Sequence, residues 1–119
     1  MKRVLIVEDD SILSFLLKKQ LTRLGYEVAG RVDTGEKAIN FIKELKPDFI
    51  LMDIKLNGDI DGIEAIAIIK TFSEVPFLYL TGNSDHNTRF RAEKTKPVDY
   101  LIKPVDAGVL GEVLASVFK

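Results

Sequence analysis

Short apolar runs alternate along the chain with stretches whose apolar positions recur every three or four residues. RVLIV (3–7) is a β-branched run and predicts a first strand. Residues 11–24 place apolar side chains at 12, 13, 16, 17, 21 and 24, a helical period that stops at Gly25. EVAGRV (27–32) reads as a weaker second strand. Behind Thr34, a good N-cap, Ala38, Ile39, Ile42 and Leu45 share one helical face, and Pro47 closes that helix. DFILMD (48–53) predicts the third strand. DGIEAIAIIK (61–70) predicts a helix with Asp61 as N-cap and Glu64 three residues on. PFLYL (76–80) and VDYLI (98–102) are the fourth and fifth strands; Pro76 is tolerated at the first position of a strand. In the last helix, 106–118, Val109, Val113 and Val117 stack beside Leu110, Leu114 and Phe118. The stretch 83–96 occupies a helical slot but offers little apolar face beyond Phe90 and Ala92, so it predicts a marginal helix.

Strands alternating with helices imply an α/β fold, a parallel sheet with helices on both faces. The near-continuous apolar first, third and fourth strands suit burial on both sides. At 119 residues the chain fits one domain, 1–119, and its 46% hydrophobic and 29% charged residues are a globular composition. A net charge of −1 gives no global basic field for nucleic acid. The absence of cysteine excludes thiolate chemistry and disulfides, leaving oxygen ligands or the single His86 for any metal. No apolar stretch approaches a membrane span, and the start of the chain is too short in apolar residues for a signal peptide; a cytoplasmic location is expected.

Composition leaves the chemistry open; the ends of the strands narrow it. In a doubly wound sheet ligands bind beyond the carboxyl ends of the strands. Glu8, Asp9 and Asp10 follow the first strand, Asp53 ends the third, Thr81, Gly82 and Asn83 follow the fourth, and Lys103 and Pro104 follow the fifth. Acids, a hydroxyl and an amine are thus expected on one edge. Clustered carboxylates without thiolates suit Mg²⁺ or Ca²⁺ rather than Zn²⁺. A metal there would neutralise an incoming phosphoryl group, Asp53 would serve as nucleophile, and Thr81 and Lys103 would hold the phosphoryl oxygens.

The motifs VEDD (7–10), LMD (51–53), DGIE (61–64), YLTG (79–82) and YLIKP (100–104) occur in this order, and with them the whole chain resembles a two-component response regulator receiver domain, CheY-like. The resemblance implies a flavodoxin-like fold, a five-stranded sheet of order 2-1-3-4-5 with five helices. It also implies that Glu8, Asp9, Asp53 and the backbone carbonyl of Lys55 hold Mg²⁺. Asp53 would be the phosphoacceptor, Thr81 the switch hydroxyl, Lys103 the catalytic amine, Tyr100 the aromatic that changes rotamer, and Lys103–Pro104 a cis bond. A histidine kinase or phosphotransfer protein would be the donor, and the face made by the fourth helix, fifth strand and fifth helix the output, in a monomer or weak homodimer. No direct nucleic-acid or membrane partner is implied. Such a chain is not a conventional enzyme; it catalyses its own phosphorylation and slow autodephosphorylation. Four departures stand out: a long loop after Asp53 without the usual proline, Lys96–Pro97 where a Gly-Ala pair is usual, Gly108 and Gly111 inside the last helix, and Lys55 and Asn83 at positions that tune dephosphorylation.

Plainer readings accompany some residues. Asp10 belongs to the start of the first helix. His86 reads as an exposed loop residue, and Arg89, Arg91, Lys94 and Lys96 as a solvated helix face. Tyr100 also fits a plain core role. Alternatives for the whole chain are a receiver-like interaction module without phosphorylation, and a Mg²⁺-dependent aspartyl-phosphate phosphatase. The latter wants an acid two residues after the nucleophile, where Lys55 stands. A flavodoxin would want a Ser/Thr/Gly-rich loop after the first strand, where acids stand instead.

Overall fold

Period-two and period-3.6 patterning resolve into ten elements in strict alternation, seen in a computed structural model that describes residues 1–83 and 85–119. They are β1 (Arg3–Val7), α1 (Ser11–Arg23), β2 (Glu27–Val32), α2 (Gly35–Leu45), β3 (Phe49–Asp53), α3 (Gly62–Ile69), β4 (Phe77–Thr81), α4 (His86–Lys94), β5 (Asp99–Ile102) and α5 (Ala107–Val117). The strands form one parallel sheet in the order β2-β1-β3-β4-β5. Ser84, inside the stretch 83–96 expected to be helical, lies outside the described residues.

Successive strand side chains point to opposite faces, which builds two cores. Leu5, Val7, Ile50, Met52 and Tyr79 face α2, α3 and α4; Val4, Ile6, Leu51, Leu78 and Leu80 face α1 and α5. β3 and β4 are buried throughout, in keeping with their continuous apolar sequence.

Side-chain caps start each helix. Asp10 Oδ1 accepts the N–H groups of Ile12 and Leu13, at 3.0 and 3.1 Å, and Thr34 caps α2. Asp61 and Glu64 form the reciprocal capping box expected from DGIE. Each such cap is worth about 1 kcal/mol. Gly25, at φ +95°, sits just past α1 in the left-handed region that ends helices. Both glycines of α5 are accommodated, and Gly111 leaves room for Leu24, whose Cδ2 would stand 3.1 Å from a Cβ at that position.

α4 is shorter than the stretch 83–96, because Asp85 caps its start and Thr95 ends it. Lys96 then takes φ +58°, the left-handed position where glycine is usual. Only Ala92 of α4 is buried. Polar contacts supplement it: Tyr79 Oη lies 2.7 Å from Thr95 Oγ1, Lys70 Nζ donates to the Thr95 carbonyl at 2.6 Å, and Arg91 pairs with Asp61 at 2.9 Å.

Candidate functional site

The register of the sheet assembles the site. Val7 pairs with Met52 across β1 and β3, so the residues that follow, Glu8 and Asp53, stand side by side where strand order reverses. Asp53 pairs with Leu80, which places Thr81 at the next strand end. Lys103 follows β5, and its N–H donates to the Thr81 carbonyl at 2.8 Å. The Lys103–Pro104 bond is cis.

Glu8, Asp9 and Asp53 each bring a carboxylate oxygen to within 4.8 Å of the others. Glu8 and Asp53 are buried and Asp9 half-buried. The Lys103 ammonium bridges the two buried acids, 2.8 Å from Glu8 Oε1 and 3.0 Å from Asp53 Oδ2. The Asp10 N–H donates to Glu8 Oε2 at 3.1 Å. Of the three successive acids, two thus turn into the cluster and Asp10 turns to α1.

Burial, and next the neighbouring Glu8, push the Asp53 carboxyl up to about 8, against the opposing pull of Lys103. Burial also pushes Glu8 upward, but hydrogen bonds with Asp53, Lys103 and the Asp10 N–H outweigh it and hold Glu8 low. Asp9 is raised by burial and by Glu8. Lys103 is raised: its burial opposes the charge, but Glu8 and Asp53 more than offset that. One amine cannot compensate three ionised acids, so without a cation Asp53 holds its proton up to about 8, and a cation suits the place that proton occupies. An all-oxygen carboxylate donor set on one edge fits Mg²⁺.

The remaining expected residues are placed as follows. Thr81 is buried; its hydroxyl donates to the Asn83 carbonyl at 2.6 Å and accepts the Asn83 N–H at 3.2 Å. Its proton therefore points along its own loop. Tyr100 is buried in the α2–α4 core, edge-on to Tyr79 at 6.5 Å, with the Arg89 guanidinium 4.7 Å above its ring. Its hydroxyl has no hydrogen-bond partner among the described residues. Lys55 is exposed in the loop after β3, and His86 is exposed at the first residue of α4. A cleft of about 330 Å³ opens beside Glu8 and Asp9, lined also by Ser11, Arg31 and Lys37. No motif points to Arg31 or Lys37; Arg31 lines the cleft because β2 ends next to β1, and Lys37 because the first turn of α2 follows, its ammonium paired with Asp33 at 2.9 Å.

Comparison with known proteins follows the same lines. The profile of the response regulator receiver domain matches residues 4–115. Chemotaxis protein CheY of Thermotoga maritima is 35% identical over 99% of this chain and 98% of its own length. Transcriptional regulatory protein PdtaR of Mycobacterium tuberculosis is 34% identical over 87% of this chain and 50% of its own length. This chain therefore spans nearly all of one relative and about half of the other. The crystal structure of the signal receiver domain of a modulated diguanylate cyclase from Desulfovibrio desulfuricans superposes with a TM-score of 0.91 at 38% identity, covering 98% of this chain and 92% of that one.

Proposed function

The chain belongs to the response regulator receiver domain family of two-component systems, and on that premise we propose that Asp53 accepts a phosphoryl group from a partner's phosphohistidine. The observation that carries this reading is a buried carboxylate at a strand end, clustered with Glu8 and Asp9 and faced by Lys103 at 3.0 Å. An Asp53 oxygen attacks phosphorus, the new O–P bond forming as the P–N bond to the partner's imidazole breaks. Lys103 stays anchored through its backbone to Thr81 and presents its ammonium to the phosphoryl oxygens. Glu8, Asp9, Asp53 and the Lys55 carbonyl would hold Mg²⁺, which when bound supplies positive charge against the phosphoryl group. Thr81 leaves the Asn83 carbonyl to donate to the phosphoryl group, and Tyr100 responds at the face formed by α4, β5 and α5. That face exposes Phe90, Ile102 and Val109 to a downstream effector or a second copy.

The phosphatase reading fares worse, since Lys55 stands where its acid would be. Incubation of the whole chain with phosphoramidate and Mg²⁺, followed by intact mass, tests the proposal. A single phosphoryl adduct is expected, lost in Asp53→Asn and on chelation. An unlabelled wild-type chain under these conditions would leave the interaction-module reading in its place.

A further inference from the structure

Asp61 and Gly62 open α3, yet Gly62 has no part in the proposed transfer. Its φ lies outside the left-handed region, so glycine is not required there by backbone conformation. Space requires it. A Cβ at position 62 would stand 2.0 Å from the Asp53 carbonyl oxygen and 2.9 Å from Met52 Cγ. The first contact is with backbone and cannot be relieved by a side-chain rotation. The Gly62 N–H also donates to the Ile54 carbonyl at 2.8 Å, while the Ile54 N–H donates to Leu80 in β4 at 3.1 Å. Both backbone groups of Ile54 are thereby used, and the loop 55–61 is closed at its base by Gly62.

We propose that Gly62 is a positioning residue for the acidic site. Direct seating of its Cα on the Asp53 carbonyl, together with the bond to Ile54, fixes where Asp53 leaves the sheet and where Lys55 begins the loop. Any side chain at 62 must displace either α3 or the end of β3. Displacing β3 moves Asp53 against Lys103, which is held independently by β4. The inference rests on the reading of Asp53 as phosphoacceptor and metal ligand.

The test uses Gly62→Ala in the whole chain, with Ile69→Ala, a buried position at the far end of α3, as a control for stability loss alone. Three readouts separate the roles: the urea midpoint, Mg²⁺ affinity by calorimetry, and the labelling rate with phosphoramidate at saturating Mg²⁺. Gly62→Ala is expected to lose about tenfold or more in both Mg²⁺ affinity and rate, the scale of a sub-ångström to ångström misplacement. Ile69→Ala is expected to lose stability but keep both. Equal effects in the two variants, or unchanged affinity and rate in Gly62→Ala, would overturn the proposal. Should Gly62→Ala not fold, amide exchange in the wild type decides: Mg²⁺ must slow exchange at the Gly62 N–H more than at the Ile69 N–H, and equal slowing overturns it. A wild-type chain that binds Mg²⁺ but takes no label refutes the phosphoacceptor reading alone, leaving the affinity comparison to judge Gly62.

Discussion

Replacing Asp53 by asparagine should stabilise the metal-free protein at high pH, although it removes the residue assigned to the chemistry. The Asp53 carboxyl rises from 3.8 to about 8 in the fold, and this net rise already contains the attraction of Lys103. The folded chain therefore keeps a proton that the unfolded chain has lost. Its stability is greatest below the unfolded value, declines as pH climbs between the two values, and is fully reduced above about 8. At about 1.4 kcal/mol per pH unit the ceiling on that loss is roughly 6 kcal/mol. Glu8 and Asp53 titrate as a pair, and Glu8 moves the opposite way, so about half the ceiling, ~3 kcal/mol, is the working figure. Asparagine keeps the shape and removes the charge. Urea unfolding in chelator at about pH 9 should thus show Asp53→Asn more stable than the wild type by ~3 kcal/mol, with a gap that narrows sharply by about pH 5. Saturating Mg²⁺ should raise the wild type and leave the variant nearly unmoved, closing the gap from the other side. A variant no more stable than the wild type at about pH 9 without metal would show that the three acids are not in electrostatic conflict.

Lys103→Met should act in the opposite sense, leaving Glu8 and Asp53 buried without their amine; a loss of roughly 2–3 kcal/mol in chelator at neutral pH is expected by urea unfolding, together with slower labelling by phosphoramidate. Equal stability of Lys103→Met and the wild type would mean that solvent already screens the pair. Lys96→Gly should raise stability by about 0.5–1 kcal/mol, because glycine takes φ +58° without the steric cost lysine meets. A lower urea midpoint in that variant would indicate that the lysine side chain compensates for its backbone.

The order of elements was legible because strands and helices differ in apolar period, and β1 and β2 fall on the residues read from the sequence. The gathering of Glu8, Asp9, Asp53, Thr81 and Lys103 on one edge was legible too, since a parallel sheet sends every strand's carboxyl end to the same side. Sequence reasoning could not see what depends on distances across the fold. Nothing in the pattern places Arg91 against Asp61, or turns the Thr81 hydroxyl to Asn83. The loss of a glycine at 96 was visible, but not that lysine would adopt the left-handed conformation itself. Gly62 looked like part of a cap motif; its closeness to the Asp53 carbonyl exists only once α3 lies on β3.

The thin seating of α4 has a bearing on how the domain can be altered. One alanine ties this helix to the interior, and the rest of its attachment runs through Arg89–Tyr100, Asp61–Arg91, Tyr79–Thr95 and Lys70–Thr95. The outward positions, Phe90, Glu93 and Lys94 among them, are released from any packing requirement of the core. A library randomised at those three positions would therefore sample new binding specificities on an unchanged scaffold, with the acidic site and the central strands left as they are.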